Sequence, residues 1–162
     1  MKRLPHRTAF SAVMICLSAI VLMLTPPKPS AAQDGLDDAR KMVNGAVEAI
    51  VESGWPGALV AVPPETWIRL EEDLYVFIMN TRGDIVFHPN RGAIGVNVSG
   101  ATDVDGYAYM QDLMGQLASD GATGVVEYYW PRPSDGEMRL KRTYARRIGN
   151  LLVACGVYVE DI

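Results

Sequence analysis

The chain contains few of the residues that build metal centres and disulfides. Its 162 residues include two cysteines and two histidines. Cys16 and His6 lie in the N-terminal segment, which leaves Cys155 and His88 in the rest of the chain. One cysteine and one histidine supply neither an intramolecular disulfide nor the clustered ligands of a zinc or haem site. We therefore predict no metal, no cofactor and, because Cys155 lies in an apolar run, a buried and unreactive thiol.

Motifs of enzyme active sites are also missing. No glycine-rich phosphate loop opens a helix, and no serine stands in a nucleophile elbow. The segment DVDG at 103–106 is similar to the start of a calcium loop, but its glycine comes too early and the acidic residues beyond it are wrongly spaced. A turn followed by a helix cap explains this segment better. We predict that the protein is not an enzyme.

Long apolar runs are rare too, and the one present lies at the N-terminus. Lysine and arginine at the start precede an uncharged stretch at 9–25, and small residues Ser30 and Ala32 follow. This layout is typical of a secretory signal peptide, here 1–32, with the mature domain at 33–162. An uncleaved membrane anchor is the alternative, although the run is at the short end of the length that spans a bilayer. We expect a periplasmic or secreted domain, or one anchored by its N-terminus.

Basic residues are outnumbered in the predicted mature domain. The whole chain has 15 basic and 19 acidic residues, and removal of the signal peptide takes away only basic ones, Lys2, Arg3, Arg7 and Lys28. The acidic surface that remains argues against nucleic acid and anionic membranes as partners.

Apolar periodicity predicts one long helix after the leader. Apolar residues recur at three- and four-residue steps over about 35–53, and Gly54 ends the pattern. The prolines that follow forbid a second long helix, so only short turns or one helical turn near 57–62 are expected.

Aromatic and β-branched residues predict strands at 74–80, 85–88, 124–130, 139–147 and 151–159. The first two form a hairpin, and a glycine-rich loop follows at 89–106. A second helix is predicted to start at Asp103 or Asp105 and to close at Gly121. The order helix, two strands, helix, three strands predicts an antiparallel sheet with helices packed on it, which is an α+β domain.

Three adjacent aromatic residues in EYYWPRP, at 127–133, suggest a binding surface. Side chains alternate across a sheet, so Tyr128 and Trp130 share one face, where they offer apolar walls with polar tips to a small ligand. On the next strand, Lys141 and Tyr144 add a cation and a hydroxyl, and a lysine near phenols pairs well with a carboxylate. Regular alternation places Lys141 and Tyr144 on opposite faces, so both reach one pocket only if the strand bulges.

Each candidate also has a purely structural interpretation. Tyr128 and Trp130 could be core aromatics, and Lys141 could be a solvated strand residue. His88, ahead of Pro89, could do no more than end a strand. The alternative to a binding site is therefore a structural or protein-interaction module whose pocket is filled by side chains.

A series of short motifs occurs in a fixed order between about residues 75 and 159: LYVFIMNTRGDIVFHPN, IGVN, DVDGYAY, GATGVVEYYWPRP, KRTY and GVYVED. Together they resemble the single Cache domain family, in particular its second subgroup. The resemblance implies a PAS-like fold, with a long N-terminal helix along a central antiparallel sheet, a second packed helix and a ligand pocket above the sheet. It also implies an extracytoplasmic sensor, as in bacterial chemoreceptors, histidine kinases and cyclases, many of which bind small carboxylates.

By this resemblance the family's motif positions fall on His88, Tyr128, Trp130, Lys141 and Tyr144, which are the candidate ligand-binding residues. Lys141 would neutralise the carboxylate of a short organic acid, Trp130 would wall its apolar part, and the phenols and His88 would donate hydrogen bonds. A membrane receptor or transporter is the expected partner. Leu151 and Cys155 depart from the residues usual in relatives, which leaves the identity of the ligand open.

Overall fold

The long helix α1 spans Ala31–Ser53 in a computed structural model that describes residues 31–159. Its buried residues include the predicted apolar stripe, Leu36, Ala39, Val43, Ala46, Val47 and Ile50, together with Met42 and Ala49. Gly54, with a φ of 69°, ends the helix as predicted, and a single helical turn, α2, follows at Ala58–Ala61. All but the last two residues of the predicted signal peptide lie outside the described residues. Of the helices between residues 31 and 159, none has the length and hydropathy needed to cross a membrane.

Six strands form one antiparallel sheet. They are β1 (Ile68–Arg69), β2 (Leu74–Asn80), β3 (Ile85–Phe87), β4 (Thr123–Pro131), β5 (Met138–Ile148) and β6 (Leu151–Tyr158). Their order is β1-β2-β6-β5-β4, and β3 pairs with β2 outside this path. The antiparallel sheet with a long helix packed on it confirms the predicted α+β fold. The short strand β1 was not predicted, because two residues are too few to show an alternating pattern.

The sheet separates two apolar layers. On one side α1 packs against β6 and β5, and the core there includes Val76, Ile78, Val153 and the fully buried Cys155. On the other side lies the second helix, α3 (Tyr109–Gln116), which packs against β4. The burial of Cys155 confirms the prediction made from its apolar surroundings.

Helix α3 is shorter than predicted, because residues 103–108 are held in a turn. The Asp103 carboxylate accepts hydrogen bonds from the backbone N–H groups of Asp105 and Tyr107, at 3.0 and 2.9 Å. Gly106 has a φ of 81°, which is incompatible with a helix. The prediction that the helix starts at Asp103 or Asp105 is therefore wrong, since Asp103 caps a turn.

The outer edge of β4 is covered by side chains. Gln116 accepts a hydrogen bond from Val125 N–H (2.9 Å) and donates one to Val125 C=O (3.1 Å). The Asp103 carboxylate accepts a further one from Tyr129 N–H, at 3.2 Å. The outward backbone groups of Val125 and the N–H of Tyr129 thus have partners within the domain.

Candidate functional site

A cavity of about 240 Å³ lies between the sheet and the glycine-rich loop, and we call it the inner cavity. Its floor comes from β2, β3 and β4, and its roof from residues 88–98 and α3. The lining residues are Tyr75, Phe77, Ile85, His88, Asn90, Ala93, Val96, Val98, Tyr109, Met110, Tyr128 and Trp130. Most of this surface is apolar, with hydroxyl, imidazole, indole and amide groups at a few points.

Hydrogen bonds from Asn97 hold the roof in place. Its side-chain amide donates to Arg82 C=O at 2.9 Å and to the Asp84 carboxylate at 2.7 Å, and its oxygen accepts from Ser99 N–H at 3.1 Å. Because Arg82 and Asp84 belong to the β2–β3 hairpin, Asn97 ties the loop to the sheet. The loop is therefore ordered by specific polar contacts despite its glycine content.

The contacts of Asn97 predict a loss of stability when its side chain is removed. Asn97→Ala is expected to lower the melting temperature by a few degrees, because the three hydrogen bonds that the side-chain amide makes are lost together. Asn150→Ala is the matched control, since Asn150 lies in the exposed β5–β6 turn, and its melting temperature should stay close to that of the wild type. Equal melting temperatures for the two variants in a thermal unfolding experiment would show that Asn97 does not hold the loop.

Two candidate aromatics lie in the inner cavity, as the alternation of β4 predicted. Tyr128 is 4% exposed and stacks on Tyr109, with ring centroids 3.9 Å apart and an interplanar angle of 8°. Its hydroxyl accepts a hydrogen bond from Thr143 Oγ1 at 3.1 Å. Trp130 is 37% exposed and meets both tyrosine rings edge-on, at 6.2 Å. Tyr128 thus forms the inner wall, and Trp130 lies nearer the opening.

Lys141 is on the pocket side of the sheet, but Tyr75 separates it from the inner cavity. The lysine is fully buried, and its Nζ donates a hydrogen bond to Tyr75 Oη at 2.8 Å. The ammonium also lies 4.0 and 5.1 Å from the ring centroids of Tyr75 and Tyr158. The charge therefore acts on the cavity through the Tyr75 hydroxyl.

A glycine in β6 makes room for this arrangement. Gly156 lies opposite Thr143, between the strands of Lys141 and Tyr75. A Cβ atom at this position would lie 2.5 Å from Lys141 Cε and 2.3 Å from Thr143 Oγ1. The lysine side chain crosses β6 because that strand has no side chain there.

The ammonium of Lys141 is poorly compensated. Among residues 31–159 no carboxylate forms an ion pair with it, and Asp73 acts on it only from a distance. Burial lowers the pKa of Lys141 to about 7, against an ordinary value of 10.5. Burial likewise raises the pKa of Tyr75 and Tyr128 well above the ordinary range, so both phenols keep their protons at neutral pH.

His88 lies at the junction of the loop and the sheet and lines the inner cavity. Its Nδ1 accepts a hydrogen bond from Asn90 N–H at 3.0 Å, which leaves the Nε2–H of a neutral imidazole as a donor. Burial, followed by the nearby Lys141 charge, lowers the pKa of His88. The ring lies 5.3 Å from that of Tyr75, edge to face.

Tyr144 is placed on the opposite face of the sheet from the other candidates. It belongs to the cluster under α1, where the Arg40 guanidinium lies 5.2 Å from its ring centroid. β5 has no bulge between Lys141 and Tyr144, since its pairing with β6 is continuous there. Regular alternation therefore holds along β5, and Tyr144, unlike the other candidate residues, faces away from the inner cavity.

Three tyrosines of the site were missed by the sequence reasoning. Tyr75 alternates with Phe77 along β2, a pattern that could have placed both on the pocket side. Tyr109 is the first residue of α3, and its place in the cavity was missed because the helix was predicted to start earlier, at Asp103 or Asp105. Tyr158 donates a hydrogen bond to Pro131 C=O at 2.8 Å, a contact that no local pattern indicates.

The inner cavity continues into a space of about 340 Å³, which we call the mouth. Tyr75, His88, Asn90 and Trp130 line both. The remaining walls of the mouth are apolar and include three prolines, Pro89, Pro131 and Pro133. Neither Met79 nor Leu151, which could have filled the pocket, lies in its lining, and Leu151 packs under α1.

Comparisons with known proteins place this sequence and its fold in a wider group. A model of the Cache domain family, dCache_2, matches residues 66–162. The methyl-accepting chemotaxis protein McpP of Pseudomonas putida is 29% identical over 98 residues, which are 59% of this chain but 18% of that protein. The chain thus corresponds to less than a fifth of the length of this relative.

Solved structures with the same fold include three chemosensory domains. A periplasmic sensor domain of a chemotaxis protein has a TM-score of 0.64 at 22% identity, covering 80% of this chain and 97% of that one. A Cache chemosensory domain studied for carboxylic acid recognition has a TM-score of 0.59 at 23% identity, covering 76% and 92%. A methyl-accepting chemotaxis protein of Vibrio parahaemolyticus has a TM-score of 0.57 at 20% identity, covering 80% and 95%.

The matched family consists of sensor domains and not of enzymes, which confirms the prediction that this chain is no enzyme. The described residues form one such domain, similar to the periplasmic sensor domains of chemoreceptors. The chain belongs to the Cache domain family.

Proposed function

We propose that the protein senses a small monocarboxylate, which binds in the inner cavity. The observation that carries this proposal is the Lys141 ammonium, buried without an anionic partner one hydrogen bond behind the cavity wall. A buried charge is costly unless an opposite charge compensates it. A ligand carboxylate at Tyr75 would supply that charge.

Tyr75 is the group that would meet the carboxylate. Its oxygen accepts from Lys141 Nζ and its hydroxyl also interacts with that of Tyr158, so a ligand carboxylate would take over the phenol proton from Tyr158. Hydrogen bonds to an ionised acceptor are shorter and stronger than neutral ones, and the ammonium behind the phenol strengthens this donor further. The His88 imidazole lines the same region and offers one more N–H donor, while the Trp130 indole interacts with the Tyr75 hydroxyl. Lys141 would thus act through Tyr75 and not by direct contact.

The size and lining of the cavity favour a short acid with an apolar end. Its volume of about 240 Å³ lies below the range usual for drug-sized ligands. Phe77, Ile85 and Met110 would surround the hydrocarbon part. Recognition of carboxylic acids by the structurally similar Cache domain supports this choice of ligand class.

The cellular setting forms part of the proposal. Residues 1–32 would direct export as a signal peptide, and 33–162 would act in the periplasm or outside the cell. The ligand-bound state would be passed to a membrane receptor or transporter, as similarity to chemoreceptor domains suggests. Mass spectrometry of the protein recovered from cells would show an N-terminus at residue 33, and an intact Met1 would contradict export by cleavage.

The ligand class can be tested by thermal unfolding with a series of linear monocarboxylates and their amides. A ligand that binds only the folded state raises the melting temperature, by about 10 °C at a concentration about 100 times its Kd. The acids should produce this shift and the neutral amides should not, because the amides cannot compensate the Lys141 charge.

Two matched substitutions show where the acid binds. Tyr75→Phe keeps the ring but removes the hydroxyl, and it should abolish the shift. Tyr144→Phe makes the same change on the opposite face of the sheet and should leave the shift intact. A shift that survives in Tyr75→Phe, or one seen equally with acids and amides, would overturn the proposed site.

A further inference from the structure

The groups that surround Lys141 are neutral at physiological pH. The side chain is fully buried, and its Nζ lies against the rings of Tyr75 and Tyr158 on the strands beside it. Tyr128 lies opposite Lys141 in β4, and the thiol of Cys155 in β6 also acts on it. Burial raises the pKa of the three phenols and of the thiol, so all four keep their protons below about pH 9.

Two further groups act on Lys141 from outside this shell. Burial, followed by the Lys141 charge, lowers the pKa of His88, so its imidazole is neutral above pH 7. The Asp73 carboxylate favours the ammonium only from a distance, and it is engaged by the N–H and hydroxyl of Ser134, at 2.8 Å each. Removal from water is therefore the largest effect on Lys141, and no carboxylate between residues 31 and 159 offsets it by an ion pair.

The site accommodates Lys141 in either protonation state. An ammonium and a neutral amine both have an N–H to donate to Tyr75 Oη, 2.8 Å away. The neutral amine avoids the cost of a desolvated charge, whereas the ammonium is attracted by the two tyrosine rings. Since burial lowers the pKa of Lys141 to about 7, both states are populated near neutral pH before a ligand binds.

A carboxylate bound at Tyr75 would change this balance. Two hydrogen bonds in series, from Lys141 to Tyr75 and from Tyr75 to the ligand, place the two charges about 5 Å apart. An opposite charge at such a distance moves a pKa by about one to three pH units toward the charged form. The acid therefore binds most tightly to the ammonium form and retains its proton.

We propose that the monocarboxylate binds together with one proton, the anion at Tyr75 and the proton on Lys141 Nζ. This inference rests on the proposed function and adds a proton to it. An anion and a proton together have the composition of the undissociated acid, and the product of their concentrations is proportional to the concentration of that acid. Above pH 7 the domain thus responds to the undissociated acid, and a given concentration of anion fills more sites as the pH falls toward 7.

The coupling predicts a loss of affinity for propionate, the probe, as the pH rises. The affinity should fall about 15-fold between pH 7 and 8.5, because the ammonium form becomes scarce before binding. Titration calorimetry at about pH 8.2, in Tris and in HEPES, counts the protons, since the two buffers release a proton with different heats. The difference between the measured heats should correspond to the uptake of close to one proton per propionate.

NMR identifies the site of the proton, since the chain has only four lysines. In protein labelled with ¹³C at lysine Cε, the Lys141 signal is the one that disappears in Lys141→Met. Its titration midpoint should move from about pH 7 to about pH 9 when propionate saturates the protein. Lys41, exposed on α1, is the internal control and should titrate above pH 10 with or without propionate.

His88→Gln separates the two basic groups of the site. Whatever its effect on affinity, this variant should still take up about one proton at pH 8.2, because the imidazole is already neutral there. Propionate binding without proton uptake, an unchanged Lys141 midpoint, or uptake that disappears in His88→Gln would overturn the coupling and leave the proposed function intact. No binding of propionate at either pH would overturn the proposed function and the coupling together.

Discussion

Gly156→Ala is expected to lower the free energy of unfolding by about 3 kcal/mol, because the new methyl group overpacks the centre of the sheet. The added carbon would lie 2.3 Å from Thr143 Oγ1 and 2.5 Å from Lys141 Cε, well inside van der Waals contact. Both neighbours are fully buried and have no free space to move into. Ligand binding should be lost as well, since a displaced Lys141 no longer reaches Tyr75. Urea unfolding measures the first effect, and titration with a short monocarboxylate measures the second.

A glycine in open surroundings is the control for this result. Gly115 lies in α3 with no atom near the position of its missing Cβ, so Gly115→Ala should stabilise the protein by about 0.5 kcal/mol. Adding Thr143→Ala to Gly156→Ala removes the nearest clashing atom, and the double variant should lose less stability than the two single losses combined. Strict additivity, or a neutral Gly156→Ala, would show that β6 tolerates a side chain at this position.

Lys141→Met is expected to weaken carboxylate binding and to remove a large part of the pH dependence of stability. Because burial lowers the pKa of Lys141 to about 7, the unfolded chain binds more protons than the folded one between pH 7 and 10.5. The free energy of unfolding of the wild type should therefore rise with pH, at most by about 1.4 kcal/mol per pH unit from this group. Below pH 7 the lysine is protonated in both states and contributes no slope.

The comparison is best made below about pH 9.5, because buried phenols act in the opposite direction at higher pH. Burial raises the pKa values of Tyr75, Tyr128 and Tyr158. Above a pH of about 10, the ordinary pKa of tyrosine, the unfolded chain loses these protons first, and the free energy of unfolding falls. Urea unfolding of the wild type and Lys141→Met at several pH values should show a stability difference that changes by about 3 kcal/mol between pH 7 and 9.5. Lys41→Met, at an exposed lysine of α1, should keep the wild-type slope.

The affinity for a short monocarboxylate should fall about 100-fold in Lys141→Met, since the charge that polarises Tyr75 is gone. Equal pH slopes in the wild type and Lys141→Met would show that the lysine is not desolvated in the folded protein. Unchanged affinity would show that the acid is held by other groups.

Local patterns in the sequence were sufficient to predict the sheet and the main helix. Strand β2 has the predicted bounds, and α1 has the predicted apolar face and the predicted end at Gly54. The predicted start of α3 was wrong because Asp103 is equally suited to cap a helix or a turn. In the structure the Asp103 carboxylate, which caps the turn, also accepts a hydrogen bond from Tyr129 N–H on a strand distant in the sequence. Strand alternation also separated Lys141 from Tyr144 correctly.

The candidate site was less predictable, because its chemistry depends on residues far apart in the chain. Lys141 and Tyr75 are 66 positions apart, and nothing near either residue indicates that they meet. The gap at Gly156 that lets them meet is visible only once three strands are aligned.

The covered edge of β4 has a consequence for how such a domain behaves at high concentration. A strand from another molecule could extend the sheet there only after displacing Gln116 and Asp103, which already hold the outward amides of Val125 and Tyr129. Growth into intermolecular β-structure is thereby opposed, and concentrated solutions of this domain should not form fibrils through that edge.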